Sequence, residues 1–354
     1  MKTCAYCYAE HAEEVVIKRC GQCQNRTYCS KACQKLDWKK PGGQQHKLYC
    51  GKTGELGHCF EVKESGEKGL GLFAMRDFTR NEMIMVERPL LNGMNLMMFP
   101  QLRPSEQSAF TSLAPNEGDL HQKFVMNRFG DDKVCIHMSR VNHDCYGNSS
   151  YLYLQHRGVQ ILVAKKEIKA GEEITFSYKS LLHNTPYERR DQLRQKYGIR
   201  CGLHCGICSN AALDARAEEL NQAQRQFLTY LQNCCNGTCE MDLDFVLEMG
   251  SELRRFYDEF EVHSPPYIQL LNQLSFCCLM GNGKLDLCRE LLDEAMELSL
   301  AYTGGDSESA PAQEVREFQQ LLNSGVITKG NCNSNVLKHM LGNMIAPFLA
   351  GDSS

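Results

Sequence analysis

Four pairs of potential metal ligands lie within the first fifty residues of the chain. Thiolate and imidazole groups are ligands that zinc prefers, and eight of them are enough for two tetrahedral sites. Because such closed sites have no open position for water or substrate, metal bound there stabilises the fold and does no catalysis. A segment this short also buries too little apolar surface to fold without a bound metal or another crosslink. The pairs are Cys4-x2-Cys7, Cys20-x2-Cys23, Cys29-x3-Cys33 and His46-x3-Cys50.

A second set of residues has the types needed to hold and orient a small ligand. Lys68-Gly69-Leu70-Gly71 is a Gly-x-Gly turn between two predicted strands, where missing Cβ atoms let the backbone approach a ligand closely. The dinucleotide-binding fingerprint needs a third glycine and a following helix, and neither is present. Asn142-His143-Asp144-Cys145 comes later, and Tyr178 follows the strand that starts after Gly171. Each segment taken alone is also compatible with a structural role.

Composition restricts the classes of protein that these motifs can belong to. The chain has 354 residues, a formal net charge of −4 and 42% hydrophobic residues, which is typical of a globular protein with two or three domains. No secretory signal pattern or membrane-spanning apolar stretch is present, so we expect a protein of the nucleus and/or cytoplasm with no membrane partner. Twenty cysteines in those reducing compartments indicate metal binding more than disulfides. The absence of a dense basic run argues against nucleic acid as the primary ligand.

Three zones of different composition position these residues, and together they predict an α+β fold. Residues 1–50 are rich in cysteine, and residues 51–58 form a linker. Residues 210–354 have apolar residues at helical spacing, with a loop at 304–312. From residue 209 onward, nine Lys/Arg stand against 21 Asp/Glu, which indicates either a solvated helical surface or one that faces a substrate. Strands are predicted at 60–64, 70–76, 83–91, 134–138, 151–155, 159–164 and 173–177, with a more helical region at 92–132.

The N-terminal cysteine pattern resembles the MYND zinc finger. The likeness rests on Tyr28-Cys29-Ser30-x2-Cys33-Gln34-x2-Asp37-Trp38 and His46-Lys47-x2-Cys50, and it covers all of residues 1–50. It implies a groove for proline-containing peptides of partner proteins, and Trp38 either supports that groove or packs over the second zinc ion. It also implies a cross-brace, with Cys4, Cys7, Cys29 and Cys33 on one zinc ion and Cys20, Cys23, His46 and Cys50 on the other.

The later motifs, in this order, resemble the SET domain of protein-lysine methyltransferases. The tail Ser177-Tyr178-x2-Leu181-Leu182-x2-Thr185, followed by Arg189, Leu193 and Tyr197, is similar to SMYD-type and fungal MYND–SET proteins. The resemblance implies a β-rich SET domain at 59–200 and a zinc-bound post-SET segment at 201–209. Its small curved sheets would surround a pseudoknot, in which residues 142–145 thread beside the Tyr178 segment.

The SET resemblance also implies a reaction and a set of site residues. Tyr178 would be the catalytic tyrosine in methyl transfer from S-adenosylmethionine to a lysine of a histone or non-histone protein. Free lysine titrates near pH 10.4, so an apolar, aromatic channel that favours the uncharged amine would be needed. Phe176 is a candidate wall of that channel or a plain core residue. The implied cofactor-binding residues are Lys68, Gly69, Leu70, Gly71, Asn142 and His143.

A third zinc site is expected from Cys201-x3-Cys205-x2-Cys208 together with Cys145, which raises the expected number of zinc ions to three. Metal there would pin the tail over the substrate channel, so its loss should abolish activity as well as stability. The family usually has Cys-x-Cys-x2-Cys at this point, and His204 is an alternative ligand. The nine other cysteines are predicted to be core or surface thiols. Three of them form an alternative metal group without an evident fourth ligand: Cys234, Cys235 and Cys239.

Two hypotheses for the whole chain remain open. The first is an active S-adenosylmethionine-dependent lysine methyltransferase that acts as a monomer. The second is an adaptor or transcriptional co-repressor that binds partner peptides through the finger and has little catalytic activity. Tyr178, Asn142 and His143 favour the enzyme. The altered cysteine spacing and Ile199, which stands where relatives carry an aromatic residue against adenine, favour the adaptor, and Gly147 replaces a proline that is usual in the family.

Overall fold

The computed structural model describes the chain in ten segments and divides it into two compact units. Unit 1 contains residues 1–143 and 147–176, and unit 2 contains residues 144–146 and 177–353. No helix of the described segments is long and apolar enough to cross a membrane. The described segments are 3–12, 15–39, 46–92, 96–130, 132–202, 205–262, 265–280, 284–324, 340–342 and 344–345.

The N-terminal finger of unit 1 is built from very short elements around cysteines. A buried charge network ties it to the segment predicted as a linker. Arg26 Nε donates to Asp37 Oδ2 at 2.7 Å, and Arg26 Nη1 donates to Glu55 Oε2 at 3.0 Å. All three side chains are buried, and each charge has a partner, which is the condition for tolerating buried charge. The elements are β1 (Lys18–Arg19), β2 (Thr27–Tyr28), α1 (Lys31–Lys39) and α2 (His46–Tyr49).

Ten further strands of unit 1 form three small sheets. The strand orders are β10-β11-β5, β3-β4-β12-β9 and β6-β8-β7. Every residue of β5 and β11 is buried, which explains why these two read in the sequence as continuous apolar runs. The strands are β3 (Phe60–Glu64), β4 (Leu70–Ala74), β5 (Met83–Glu87), β6 (Leu91–Asn92), β7 (Arg128–Phe129), β8 (Lys133–Val134), β9 (Asn142–His143), β10 (Ser149–Leu154), β11 (Val159–Ala164) and β12 (Glu173–Phe176).

Two predicted strands end four residues earlier in the structure than in the sequence pattern, whereas the bounds of the other five agree to within two residues. The predicted run 83–91 is interrupted at Pro89, which has no N–H to donate to a neighbouring strand. The predicted run 134–138 ends at Val134. Its later amides are taken by the buried carboxylate of Glu87, which accepts hydrogen bonds from the backbone N–H of His137 and of Met138, each at 2.9 Å. A side-chain acceptor has therefore replaced a strand partner.

The predicted helical C-terminal region is confirmed, and capping residues mark its boundaries. The Thr185 side chain accepts from the Glu188 backbone at the start of α5, and Gly198 ends that helix in the left-handed conformation at φ 68°. Asn210 caps α6.

Helices α7 and α8 pack closely at Gly250. An added Cβ at Gly250 of α7 would lie 2.6 Å from Leu274 Cδ2 of α8. The helices are α3 (Pro104–Thr111) and α4 (Leu120–Asn127) in unit 1, and α5 (Pro186–Tyr197), α6 (Ala211–Cys235), α7 (Leu243–Glu259), α8 (Pro265–Met280), α9 (Leu285–Tyr302) and α10 (Ala310–Asn323) in unit 2.

The segment after β9 packs directly on the backbone of β12. Strands β9 and β12 pair in parallel, with Asn142 opposite Thr175 and His143 opposite Phe176. Gly147 then passes so close that an added Cβ would lie 2.5 Å from Phe176 Cα and 2.7 Å from the Thr175 carbonyl oxygen. Because both atoms belong to the backbone, no side chain can move aside to make room.

We expect the substitution Gly147→Ala to destabilise the protein by about 2 kcal/mol or more, because the added methyl collides with β12. The measurement is the thermal midpoint followed by circular dichroism in zinc-containing buffer. Gly206→Ala is the control, since its Cβ would make only ordinary contacts of 3.5 Å or longer. A Gly147→Ala protein that melts with the wild type would contradict the packing described here.

Candidate active site and zinc clusters

Three groups of four Cys/His residues are gathered in the structure. In each group, one ligand atom per residue lies within 4.8 Å of all the others. Closed sets of four sulfur and nitrogen ligands match the coordination of structural zinc. The groups have the membership expected from the sequence: Cys4, Cys7, Cys29 and Cys33 (cluster 1), Cys20, Cys23, His46 and Cys50 (cluster 2), and Cys145, Cys201, Cys205 and Cys208 (cluster 3).

The two finger clusters have the separations that a tetrahedral zinc site requires. Ligand atoms around one zinc ion lie roughly 3.8 Å apart. The Sγ atom of Cys29 lies 3.5 Å from that of Cys7, and Cys23 Sγ lies 3.5 Å from His46 Nε2. Burial lowers the pKa of His46 to about 4, so its imidazole is neutral and able to bind metal. The Trp38 ring lies edge-on to His46 at 5.6 Å, which places this tryptophan against cluster 2.

Cluster 3 joins the short segment 144–146 to the post-SET cysteines within unit 2. Cys145 Sγ lies 3.7 Å from both Cys201 Sγ and Cys208 Sγ. The neighbouring Asp144 carboxylate accepts from the backbone N–H of Tyr146 at 2.7 Å and of Gly206 at 3.3 Å. Thiolates and backbone therefore hold the two segments together. The alternative ligand His204 lies outside the described residues.

A buried arginine that was not assigned a role from the sequence lies beside cluster 3. Arg189 is fully buried, and its Nη2 donates to Asp214 Oδ1 at 3.3 Å. Burial lowers the pKa of its guanidinium, the neighbouring Cys145 and Cys208 raise it, and the net shift is upward. Zinc bound to four thiolates carries a net negative charge, which this cation partly offsets.

The substitution Arg189→Met is expected to weaken zinc binding at cluster 3 by about 10- to 100-fold, because the thiolates lose a buried positive neighbour. Competition with a chromogenic chelator measures it: one of the bound zinc ions should leave earlier than in the wild type. Arg190→Met removes the other arginine on Asp214 and is the matched control. Identical release curves for wild type and Arg189→Met would refute this role.

The glycine turn is a tight hairpin between β3 and β4. Gly69 has φ 77°, a left-handed conformation that favours glycine. At Gly71 the reason for glycine is close approach, because an added Cβ would lie 2.4 Å from Glu173 Oε1 and 2.9 Å from Asn142 Nδ2. The missing Cβ thus allows the turn to meet the segment that carries Asn142.

Glu173 joins the predicted cofactor-binding residues, and the sequence did not single it out. Its carboxylate accepts from Ser65 Oγ at 2.7 Å, from Asn142 Nδ2 at 2.7 Å and from Lys68 Nζ at 3.1 Å. Asn142 Nδ2 also donates to the Leu70 carbonyl at 3.3 Å. Glu173 therefore links Lys68 to Asn142, and Asn142 in turn links to Leu70. His143 is buried in β9, next to Asn142.

Asn148 explains how the irregular segment after Cys145 remains paired. Its Nδ2 donates to the Glu173 carbonyl at 2.9 Å, and its Oδ1 accepts from the Thr175 N–H at 2.9 Å. One amide side chain thus supplies both hydrogen bonds that a neighbouring strand would make with β12. It contributes to the site by fixing the backbone on which Glu173 stands.

We expect the substitution Glu173→Gln to loosen the glycine turn, because it removes the ion pair with Lys68 and weakens two hydrogen bonds to a charged acceptor. Amide hydrogen exchange at 66–71 should become about 10-fold faster, equivalent to roughly 1.4 kcal/mol. The neighbouring Glu172→Gln is the control, since that side chain accepts from the Lys169 N–H instead. Unchanged exchange in Glu173→Gln would show that the carboxylate does not hold the turn.

A pocket of about 570 Å³ in unit 1 is bordered by the glycine turn. Its lining includes Leu70, Ser112, His137 and Arg140. Arg140 Nη2 donates to the Ser112 carbonyl at 2.9 Å and to Ser112 Oγ at 2.7 Å. Burial lowers its pKa, and no carboxylate of the described residues lies within ion-pair distance. Arg140 is thus a partly buried cation in a lining that also contains Glu10 and Glu61. Its guanidinium can pair with an anionic group of a ligand.

The aromatic residues expected near a lysine channel occur in both units. In unit 1, the Phe176 ring lies 5.0 Å from that of Tyr151 and 6.0 Å from that of Phe129. In unit 2, the Tyr178 ring lies 4.9 Å from that of Tyr197. Tyr178 is half-buried against the same apolar core that contacts Ile199.

Comparisons with known proteins give the domains their names. A profile of the MYND finger matches residues 4–52, and a profile of the SET domain matches residues 69–179.

The similar proteins carry names from the same group. The chain is 28% identical to mouse histone-lysine N-methyltransferase SMYD3, over 56% of this chain and 50% of that protein. It is 26% identical to SET domain-containing protein 14 of Caenorhabditis elegans, over 82% and 68% of the two chains, and 24% identical to human N-lysine methyltransferase SMYD2, over 65% and 58%. The chain therefore spans between half and about two thirds of the length of these relatives. Two matched domains and three clusters that fit zinc identify the chain as one that joins a MYND finger to a SET domain, and it is similar to SMYD proteins.

Proposed function

We propose that this chain is an S-adenosylmethionine-dependent protein-lysine N-methyltransferase that acts on histone or non-histone lysines. The observation that carries the proposal is the assembly at Glu173, which links Lys68 and Asn142 from segments far apart in the sequence. The SET profile spans Asn142, Glu173 and Tyr178. The names of the SMYD relatives point to the same reaction.

The side chains and backbone of unit 1 suit S-adenosylmethionine. Its amino-acid end carries a carboxylate, which Arg140 could pair with because no carboxylate of the described segments forms an ion pair with that arginine. At Gly71, where a Cβ would collide with Glu173 and Asn142, glycine lets the turn lie directly against the segment that carries Asn142. The residues proposed to hold the cofactor are Lys68, Gly69, Leu70, Gly71, Arg140, Asn142 and His143.

The reaction that we propose places modest demands on the protein. S-adenosylmethionine supplies a methyl group on a positively charged sulfur, so the protein has to align an uncharged lysine amine with it. An apolar wall disfavours the ammonium form, and the cluster of Phe129, Tyr151 and Phe176 provides such a surface. The hydroxyl of Tyr178 would accept a hydrogen bond from the amine and direct its lone pair. The amine proton is released to solvent before transfer.

Zinc is proposed to stabilise this site without taking part in the reaction. Cluster 3 binds residue 145, three positions after Asn142, to the post-SET cysteines. We therefore propose that zinc at cluster 3 keeps the segment carrying Asn142 and His143 ordered. Clusters 1 and 2 would fold the finger, whose surface near Trp38 is proposed to take proline-containing peptides of partner proteins. The chain is proposed to act as a monomer in the nucleus and/or cytoplasm.

A peptide-binding adaptor or co-repressor is the second candidate function. It is favoured by Ile199, an aliphatic residue where relatives place an aromatic one against adenine, and by the Cys201-x3-Cys205 spacing. The two candidates differ in one respect: only the enzyme transfers a methyl group to lysine.

The substitution Tyr178→Phe tests the proposed catalytic residue. We expect it to lower kcat for methyl transfer to histones or to a lysine-peptide array by about 10²- to 10⁴-fold, because the amine loses its orienting hydroxyl. Cofactor affinity, measured by isothermal titration, should stay within about twofold. Tyr197→Phe, on the ring that packs against Tyr178, is the matched control. Undiminished transfer by Tyr178→Phe would rule out this assignment, and absence of transfer in the wild type on all substrates would favour the adaptor.

A further inference from the structure

A pair of cysteines outside the three clusters meets at the turn between α6 and α7. Cys234 Sγ and Cys239 Sγ lie 3.3 Å apart, closer than the 3.5–3.7 Å between neighbouring thiols of the zinc clusters. Within the described residues, no third Cys, His, Asp or Glu ligand atom lies near enough to make a metal group with this pair. The geometry therefore argues against the metal group that the sequence allowed at Cys234, Cys235 and Cys239.

The turn that brings the two thiols together is held by its own hydrogen bonds. Gly237 has φ 74°, which reverses the chain after α6. Thr238 then donates to the Asn233 carbonyl twice, from its backbone N–H at 3.0 Å and from its Oγ1 at 2.8 Å. These bonds tie the residue before Cys239 to the residue before Cys234. The close approach of the two sulfurs is thus a consequence of a fixed helix end.

Tyr230 holds the residues that follow Cys239 in the same turn. Its hydroxyl donates to the Glu240 carbonyl at 3.3 Å and accepts from the Asp242 N–H at 3.0 Å. Tyr230 stands one helical turn before Cys234 on α6. Cys239 is therefore held from both of its chain neighbours, and the two thiols stay in register without metal.

The two thiols differ in environment. Cys234 is only 2% exposed, whereas Cys239 is partly exposed to solvent. Burial, reinforced by the hydrogen bond with Cys239, raises the pKa of Cys234. A soluble oxidant therefore reaches the Cys239 thiol first, and the buried Cys234 is the resolving thiol.

We propose that Cys234 and Cys239 are a redox modification site that closes to a reversible disulfide on exposure to a peroxide. The Cys239 thiolate attacks the peroxide O–O bond and becomes a sulfenic acid with loss of water. The Cys234 sulfur then attacks the sulfenic sulfur, the S–S bond forms, and the hydroxyl leaves as a second water with the Cys234 proton. The sulfurs together give up two electrons, which reduce the peroxide.

Little movement is needed for this bond. A disulfide has an S–S length of about 2.05 Å, so the sulfurs must approach by about 1.2 Å, which side-chain rotation can supply. The bond would fix the last turn of α6 to the residues that lead into α7. Its formation does not depend on methyltransferase activity.

The experiment counts free thiols in one peptide. Zinc-loaded full-length protein is treated with hydrogen peroxide and then denatured in the presence of N-ethylmaleimide, which alkylates the free thiols. The alkylated protein is digested with trypsin. Residues 226–254 form a single tryptic peptide with three cysteines, Cys234, Cys235 and Cys239. We expect one maleimide on this peptide after oxidation. Three are expected when the oxidised protein is reduced with dithiothreitol before alkylation. The adjacent buried pair Cys277 and Cys278 of α8 serves as an internal control and should keep two.

Variants identify the partners. Cys235→Ser should retain the peroxide-dependent loss of two maleimides, whereas Cys234→Ser and Cys239→Ser should abolish it. The proposal would be overturned if the 226–254 peptide still carried three maleimides after treatment with enough peroxide to release zinc from the clusters. A disulfide that persists in Cys234→Ser would also overturn it, because the bond would then join Cys235 and Cys239.

Discussion

The structure depends on one constraint, the path of residues 142–148. Asn142 and His143 pair in parallel with β12, Cys145 enters cluster 3, and Gly147 lies against the backbone of β12. Seven residues thus take part in a sheet, a metal cluster and a contact that admits no side chain. Residues 142–143 and 147–148 belong to unit 1, and residues 144–146 belong to unit 2.

Metal ligation and buried charge complement each other in holding the small N-terminal finger. Its core consists mainly of cysteines, so apolar burial contributes little and zinc must supply folding free energy. The Arg26 network adds a second tie, since it joins α1 to Glu55 beyond the last zinc ligand. A similar pairing occurs at cluster 3, where Arg189 brings positive charge to the thiolates.

Much of the fold could be predicted from the sequence because its signals are local. Ligand spacing predicted the metal clusters, and the resemblance to the MYND finger implied which ligands share each of the two finger sites. The residue pattern also predicted strands such as β3 and β11 with their bounds. The roles of Glu173 and Arg140 could not be found in this way. Glu173 contacts residues 31, 105 and 108 positions away in the sequence. That no carboxylate of the described part of the chain pairs with Arg140 is likewise a property of the fold, which no sequence pattern shows. Strand 134–138 was predicted too long because Glu87 takes its amides.

We propose that this MYND–SET chain binds S-adenosylmethionine at the site organised by Glu173. Isothermal titration of S-adenosylmethionine tests this directly, in protein whose content of three zinc ions has been verified by native mass spectrometry. We expect saturable binding of one cofactor per chain, which Arg140→Met weakens. Absence of binding heat, together with no cofactor-bound species in the native mass spectrum of the fully zinc-loaded protein, would contradict it.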